Sequence, residues 1–333
     1  MKHITKVYGS LYANDDVHLS LNQGEILAVV GENGAGKSTL MKILYGLERP
    51  TAGEIYLNGE LQHFRSPHDA IAKKIGMVQQ HFMLLGPCSV AENIVYGREP
   101  RKHGIFFDRE AAVRITESLC EKYGLHIDPR LRVADCPVGL QQRVEILKVL
   151  YQDADIIIFD EPSAVLTPQE VTELLATMRK LAEMGKSIII ITHKLHEVMA
   201  VADRVMVMRL GKHIKEMRKD ETSIEEMSYL MVGRHIVERE VPAQTPGQTV
   251  LDVQGLTLAG SEKKNILDGF SIHVDAGEIV GIAGVSGNGQ SELIECLTGL
   301  TEPTGGKILL NGKDITGKST RAFRQELARS IQM

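Results

Sequence analysis

The sequence predicts an α/β fold built on an open, mainly parallel β-sheet. Short β-branched apolar runs alternate with longer helical patterns, and four of these runs are residues 26–30, 156–159, 188–192 and 204–208. Continuous apolar strands of this kind are typical of a parallel sheet that helices cover on both faces. Residues 167–185 predict one crossover helix, because Thr167 and Pro168 supply a cap and a first turn and Gly185 supplies an end.

The length and charge of the chain limit the possible functions. Its 333 residues suit about two domains. Apolar residues make up 43% of the chain and charged residues 24%, which is ordinary for globular protein. A net charge of −5 argues against a broad phosphate-binding surface, so we expect no nucleic-acid partner.

The cysteines and the apolar segments favour a cytosolic location. The four cysteines form no C-x-x-C pair, and no histidine cluster at metal-binding spacing accompanies them, so we expect reduced thiols. The first ten residues lack the apolar core of a signal peptide. Apolar runs such as residues 188–191 are far shorter than the roughly 20 residues that cross a bilayer.

The chain contains an internal repeat. Residues 29–59 align without gaps to residues 282–312 at a constant offset of 253, and 15 of the 31 paired positions are identical. A period this long indicates a duplicated domain rather than a solenoid. We therefore expect a first domain over 1–235, a linker over 236–248 that contains Pro242, Pro246 and Gly247, and a second copy over 249–333.

A glycine-rich loop indicates a phosphate-binding site. The segment GENGAGKS, from Gly31 to Ser38, fits the pattern G-x-x-x-x-G-K-[ST] and lies between an apolar strand and a helical pattern. The glycines allow backbone N–H groups to point at phosphate oxygens, and the following helix presents its positive end. We expect Lys37 to reach the terminal phosphates and the Ser38 hydroxyl to bind Mg²⁺.

Two acidic residues end a later apolar run. Asp160 and Glu161 close the segment IIIFDE. An acidic residue at the carboxyl end of a buried strand can hold Mg²⁺ beside the phosphates, directly or through water. Glu161 is then placed to act as general base toward an attacking water.

The order of the motifs GENGAGKST, VQQHF, VGLQQRVEI, IIIFDEP and THK resembles the ATPase domain of ABC importers. The closest likeness is to the duplicated ATPase subunits of simple-sugar and nucleoside importers, and it covers nearly the whole chain. The resemblance implies a P-loop NTPase fold with a mainly parallel sheet and a helical subdomain, which binds ATP and Mg²⁺. It also implies dimerisation of ATPase domains, membrane permease subunits as partners, and through them an extracytoplasmic solute-binding protein.

The resemblance implies roles for further residues. Tyr8 would stack on the adenine ring, although Tyr12 is a rival for that role. Gln80 would contact Mg²⁺ or water, with Gln79 as the alternative, and His193 would contact the γ-phosphate. The remaining phosphate-loop residues expected to contact nucleotide are Asn33, Gly34, Ala35, Gly36 and Thr39.

The chain departs from the family pattern at the signature motif. This motif appears as CPVGLQ, from Cys136 to Gln141, where Pro137 replaces the usual serine. Gly139 keeps a backbone N–H for a γ-phosphate oxygen of a partner domain, whereas Pro137 removes a hydroxyl and an N–H donor. Thr167 stands where many ABC proteins have aspartate, a change that is common in this branch.

The second copy departs further. Gln290 stands where Lys37 stands in the first copy, so the cationic charge is lost. Residues 331–333 correspond to 75–77, so we expect the second copy to be incomplete. Because ABC ATPases close two domains head to tail, we also expect the isolated chain to hydrolyse ATP poorly.

The leading functional prediction is an ATP-hydrolysing subunit at the cytoplasmic face of the plasma membrane that energises import of a nucleoside or simple sugar. One alternative is a soluble tandem ABC ATPase acting on ribosomes, which usually carries a longer charged linker. Another is a truncated, non-hydrolysing remnant. A GTPase is disfavoured because the sequence has no N-K-x-D motif.

Overall fold

The structure of the protein is a computed structural model, and it describes residues 1–234, 245–260, 264–284 and 287–321. The chain divides into two compact units, Met1–Val237 and Glu238–Met333, which we call the first and second units. The predicted linker falls mostly on residues outside the described ranges, as do residues 331–333 of the second copy.

The first unit contains twelve strands among its described residues. They are β1 (Lys2–Tyr8), β2 (Leu11–Val17), β3 (Ile26–Val30), β4 (Ala52–Leu57), β5 (Glu60–Gln62), β6 (Ile75–Val78), β7 (Arg101–Lys102), β8 (Phe106–Phe107), β9 (Ile156–Asp160), β10 (Ser187–Thr192), β11 (Arg204–Arg209) and β12 (Lys212–Arg218).

Eight α-helices accompany these strands in the described part of the first unit. They are α1 (Lys37–Leu44), α2 (Pro67–Ala72), α3 (Val90–Val95), α4 (Arg109–Tyr123), α5 (Val138–Tyr151), α6 (Pro168–Glu183), α7 (Leu195–Val201) and α8 (Ile224–Val232). Short 3₁₀ turns lie at Val133–Asp135 and Lys219–Glu221. Within the described ranges, no helix is both long enough and apolar enough to span a lipid bilayer.

A six-stranded sheet forms the centre of the first unit. Its strand order is β12-β11-β3-β10-β9-β6, and every pairing is parallel except that of β12 with β11. Strand β10 shows why it forms: all six of its residues are buried, with Ile188 and Ile190 packing into one apolar cluster and Ile189 and Ile191 into the other. A strand buried on both faces needs such a continuous apolar run. The predicted parallel sheet is confirmed.

A second sheet covers the amino-terminal part of the first unit. Strands β2, β1, β4 and β5 form it in that order, and the pairings are antiparallel. Ile4, Val17 and Ile55 point from this sheet into the core, where they pack with residues of α1. This sheet therefore packs against helix α1, the first helix after β3.

Helices α3, α4 and α5 pack on one another as a helical subdomain. Helix α4 is capped by the Asp108 side chain, which accepts the backbone N–H of Ala111, and it ends at Gly124. The predicted crossover helix is confirmed as α6, whose capping box joins Thr167 and Glu170. The Thr167 hydroxyl accepts the Glu170 N–H, and the Glu170 carboxylate accepts the Thr167 N–H, so the two side chains together fix the start of α6.

The second unit has a small antiparallel sheet of its own. Its strands are β13 (Thr249–Ala259), β14 (Asn265–Asp275), β15 (Gly305–Leu310) and β16 (Lys313–Asp314), in the order β14-β13-β15-β16, with helix α9 over Gln290–Thr298. This order matches β2-β1-β4-β5 of the first unit.

The described residues 279–284 form no strand, and Ile279 is 98% exposed. Their counterpart in the first unit, β3, lies between β10 and β11. The described part of the second unit offers no equivalent of those two partner strands.

Candidate functional site

The glycine-rich loop connects β3 to α1. Gly34 and Gly36 have φ values of 83° and 92°, in the left-handed region that glycine adopts without steric cost. Gly36 is the N-cap of α1, and no side chain of the described residues caps this helix. The N–H groups of the first turn are therefore available to an anion, and the helix dipole favours negative charge there.

Strand β2 supports the loop from behind. A Cβ atom at Gly36 would overlap the carbonyl oxygen of Ala13, so the position requires glycine for space as well as for its backbone angle. The fully buried Asn14 donates from Nδ2 to the Gly36 carbonyl oxygen at 3.1 Å. Sequence reasoning missed Asn14, because nothing in the local pattern brings β2 against the loop.

Lys37 lies folded against its own loop. Its Nζ donates to the carbonyl oxygens of Gly31 at 2.8 Å and Glu32 at 3.0 Å, and the side chain is buried. Burial lowers the pKa of Lys37, while the nearby Glu161 and Asp160 oppose that shift. The ammonium group is thus held within the loop, beside two acidic side chains.

Asp160 ends β9 and meets the start of α1. The Ser38 hydroxyl donates to Asp160 Oδ1 at 3.1 Å, so strand β9 and helix α1 place these two oxygen atoms together. Burial raises the pKa of Asp160, and the hydrogen bond from Ser38 opposes that shift. A carboxylate and a hydroxyl are donors that Mg²⁺ accepts, with water and phosphate oxygens completing its shell. The residues present therefore fit a magnesium ion.

Glu161 has an unusual backbone conformation. Its φ of 47° is rare for a residue other than glycine and costs on the order of 1–3 kcal/mol. Its amide donates to the Ile191 carbonyl oxygen of β10 at 3.0 Å, which holds the turn in place. His193 Nδ1 lies 2.9 Å from Glu161 Oε1, while Glu161 Oε2 is buried and has no hydrogen-bond partner among the residues that the structure describes. One carboxylate oxygen is therefore free to accept a proton or a hydrogen bond.

A cavity of about 390 Å³ brings most of the predicted residues together. Of the alternatives left open by the sequence, both Tyr8 and Tyr12 line it, whereas Gln80 lines it and Gln79 does not. The other predicted lining residues are Asn33, Gly34, Ala35, Gly36, Lys37, Ser38, Thr39, Glu161 and His193. Gly31 and Asp160 adjoin this set through their bonds to Lys37 and Ser38. A larger cavity of about 760 Å³ in the first unit is lined by none of the predicted residues.

Gly139 lies away from this cavity, at the start of α5. Pro137 is the N-cap of α5 and supplies no side-chain cap. The Glu170 carboxylate lies close against Gly139. The hydrogen bond from the Thr167 backbone lowers the pKa of Glu170, and the Gly139 backbone adds a smaller contribution in the same direction. Glu170 therefore contacts the starts of two helices, α5 and α6. Sequence reasoning missed its contact with α5.

A second set of contacts joins α5 to the segment after Gln80. Glu145 accepts the backbone N–H of Met83 at 2.6 Å, and Lys148 Nζ donates to the Met83 carbonyl oxygen at 2.8 Å. Glu145 is buried, and its desolvation raises the pKa of the carboxyl group. The i, i+3 spacing of Glu145 and Lys148 is visible in the sequence. It does not show that both side chains bind the Met83 backbone.

The loop after β9 is linked to α7 by another polar network that the sequence did not reveal. Ser163 donates to Glu197 Oε1 at 2.6 Å, and Lys194 Nζ donates to the Ser163 carbonyl oxygen at 2.9 Å. Ser163 lies two residues after Glu161, and Lys194 directly follows His193. The network therefore restrains the backbone next to both members of the Glu161–His193 pair.

The second unit has a related loop before α9. Gly287 and Gly289 both have a φ of 91°, close to the values at Gly34 and Gly36, and Gly289 is the N-cap of α9. Gln290 occupies the first position of the helix, as Lys37 does in α1. Residues 285–286 of this loop lie outside the described ranges.

The fold and the loop together define a P-loop nucleoside triphosphatase. A family model described as ABC transporter matches residues 14–164 and 267–333. The chain belongs to the ABC transporter family.

Curated relatives support this assignment along nearly the whole chain. The nucleoside import ATP-binding protein NupA of Lactococcus lactis subsp. cremoris (strain MG1363) is 48% identical over 98% of this chain. The guanosine import ATP-binding protein NupO of Bacillus subtilis (strain 168) is 50% identical over 98% of it. The chain spans 64% of the length of each of these relatives.

A solved structure has the same fold. The crystal structure of the ADP conformation of an ATP-binding cassette from an ABC transporter superposes with a TM-score of 0.62 at 25% identity. The match covers 70% of this chain and 97% of that cassette. The predicted α/β ATPase fold is therefore confirmed.

Proposed function

We propose that the chain is an ATP-binding and ATP-hydrolysing subunit that energises import of a nucleoside or simple sugar. The observation that carries this proposal is the single cavity lined by the glycine-rich loop, Gln80, Glu161 and His193. The names of the relatives, which are import proteins for nucleosides and guanosine, support the solute class.

The loop and its neighbours would bind the nucleotide. The N–H groups from Asn33 to Thr39 would donate to phosphate oxygens, and Lys37 would exchange its loop carbonyl partners for them. Tyr8 or Tyr12 would stack on the base, since both are exposed at the rim of the cavity. Stacking of a base on an aromatic ring is worth about 1–3 kcal/mol.

Ser38, Asp160 and Gln80 would hold Mg²⁺. The first two already lie within hydrogen-bonding distance, and Gln80 lines the same cavity. The ion would offset the negative charge of the phosphate oxygens.

Glu161 would act as the general base. Its Oε2 atom has no partner in the described part of the chain, and its Oε1 atom is oriented by His193. Glu161 has a left-handed backbone conformation, and it lines the cavity. His193 would hold the carboxylate in place and contact the terminal phosphate.

We further propose that the chain is duplicated, with domains over 1–235 and 249–333 joined by 236–248. The matching strand orders and the matching glycine φ values of the two loops support this interpretation. Gln290 in place of lysine would leave the second loop weak toward phosphate, because a neutral amide cannot offset its charge. Hydrolysis would then depend on the first unit.

The partners of such a subunit would be a membrane permease, met at the cytoplasmic face of the membrane, and through it a solute-binding protein. Met83 and Leu85 are exposed just after Gln80, and Phe82 and Leu84 are partly exposed. This apolar segment is the surface that we assign to the permease. Glu145 and Lys148 link this segment to α5, the helix that begins within the signature motif. Docking of the permease would therefore be connected to that helix.

Reconstitution tests the proposal. We expect the chain to co-purify with a membrane subunit of many helices and to support ATP-dependent uptake of a nucleoside or simple sugar into vesicles. The Glu161→Gln variant is the control, because it should assemble equally but transport far less. Uptake at the wild-type rate with Glu161→Gln, or no membrane partner at all, would contradict the proposal.

A further inference from the structure

Two histidines and one aspartate lie together on the hairpin of β1 and β2, outside the nucleotide cavity. Ile4 and Val17 pair across this hairpin and are fully buried, so the alternation of the strands turns His3 and His18 outward. Asp16 is two residues from His18 and lies on the same outward face. The proposed nucleotide chemistry uses none of the three.

The three side chains already approach one another closely. His3 Nδ1 lies 2.7 Å from Asp16 Oδ1, and His18 Nε2 lies 3.7 Å from the same oxygen. The two imidazole rings meet edge to face, with centroids 4.2 Å apart. One ligand atom from each residue lies within 4.8 Å of the other two. Ligands held tetrahedrally at about 2.1 Å from an ion are about 3.4 Å apart, so small side-chain rotations would suffice.

The backbone holds this arrangement at a steric cost. His3 and Asp16 have φ values of 54° and 53°, which residues other than glycine rarely adopt. The hairpin register shifts between Ile4 and Lys6, and the Thr5 hydroxyl accepts the Asp16 N–H at 3.2 Å. Such strained positions persist where the surroundings fix them, and they cluster at functional sites.

We propose that His3, Asp16 and His18 form a binding site for one divalent transition-metal ion of the zinc class. Two imidazoles and one carboxylate are ligands that Zn²⁺ prefers, and they leave a fourth position for water. The side chains are 69%, 65% and 45% exposed, so an ion can reach them from solvent. Mg²⁺ prefers six oxygen ligands, so this site would not compete for the magnesium of the nucleotide.

The bound ion would fasten the hairpin whose other end forms part of the nucleotide cavity. Strand β1 ends at Tyr8 and β2 begins at Leu11, and both of these residues line that cavity. An ion that binds the folded hairpin and not the unfolded chain raises the stability of the folded form.

Calorimetric titration of the nucleotide-free chain with ZnCl₂ tests the site. We expect one strongest binding event per chain, weakened at least about tenfold in His18→Ala, in Asp16→Asn and in His3→Gly. Glycine adopts the left-handed backbone of position 3 without steric cost, so His3→Gly removes the side chain and should still fold. His63→Ala, at an exposed histidine elsewhere in the first unit, is the matched control and should bind as the wild type does.

The melting temperature separates a bound ion from a change in folding. Zinc should raise it in the wild type and in His63→Ala but not in the three site variants. Unchanged affinity in all three site variants would overturn the proposal. So would binding that is lost in His3→Gly yet survives His18→Ala and Asp16→Asn, because His3 would then hold the ion without the other two residues.

Discussion

Glu161 combines strain, burial and an unpaired oxygen in one side chain. Its backbone is left-handed, its Oε1 atom contacts His193, and within the described ranges its Oε2 atom has no hydrogen-bond partner. A buried acceptor without a partner normally destabilises the folded state, so its retention suggests a use. In the proposed chemistry that use is acceptance of a proton from water.

We expect Glu161→Gln to lower ATP turnover by at least about 10²-fold while nucleotide affinity survives. The amide keeps the size and the contact with His193 but cannot accept the proton, and general-base catalysis is typically worth 10²–10⁴-fold. Turnover should be measured in the membrane complex, with nucleotide binding measured alongside. A variant that hydrolyses ATP at the wild-type rate would rule out Glu161 as the base.

The two left-handed glycines of the phosphate-binding loop allow a test of how single residues shape the site. Gly34 and Gly36 are both left-handed, but only at Gly36 would a Cβ overlap the Ala13 carbonyl oxygen and crowd Asn14. We expect Gly36→Ala to lower the free energy of unfolding by about 1–3 kcal/mol more than Gly34→Ala. Urea denaturation of both variants measures the difference, and equal costs would show that backbone strain alone matters.

Among the elements, α5 contacts both the start of α6 and the segment after Gln80. Its start meets Glu170 of α6, and its middle binds the Met83 backbone through Glu145 and Lys148. A movement of the segment after Gln80 would therefore act on α5 through hydrogen bonds rather than through apolar contact alone.

Glu145 should make stability depend on pH. Burial raises its pKa above the ordinary 4.5, so the folded state favours the protonated form. Its contribution is fully present below the unfolded pKa and is lost as pH rises through the folded pKa. We expect Glu145→Gln, which stays neutral, to gain stability relative to the wild type as pH rises from about 4 to 8.

Chemical denaturation across that pH range measures the effect. Glu121→Gln, the same change at an exposed position on α4, is the control and should track the wild type at each pH. A constant difference between Glu145→Gln and the wild type would mean that the Glu145 carboxyl titrates alike in both states.

Across the whole molecule, the sequence correctly predicted those elements that a local residue pattern or the order of motifs specifies. The strand of four isoleucines, the crossover helix capped at Thr167 and the glycine-rich loop all appear where they were expected. The residues that support the site from a distance were missed. Asn14 behind Gly36 and Glu170 beneath Gly139 make contacts that depend on tertiary packing, which no local period records.

The second unit shows the same limit in another form. The repeat predicted its loop and helix, and Gly287, Gly289 and α9 reproduce those of the first unit. At the same offset of 253, Ile279 aligns with Ile26 of strand β3, yet the described residues 279–284 form no strand and Ile279 is exposed. A central parallel strand is stabilised by its neighbours, so similarity of sequence alone does not produce it.

The central claim is that one Mg-ATP site exists in this chain and that it lies on Lys37 rather than on Gln290. The most direct measurement is an equilibrium titration of the purified chain with Mg-ATP. We expect one nucleotide per chain, severe weakening in Lys37→Ala and nearly unchanged affinity in Gln290→Ala. Two equivalent sites, or equal effects of the two substitutions, would contradict the claim.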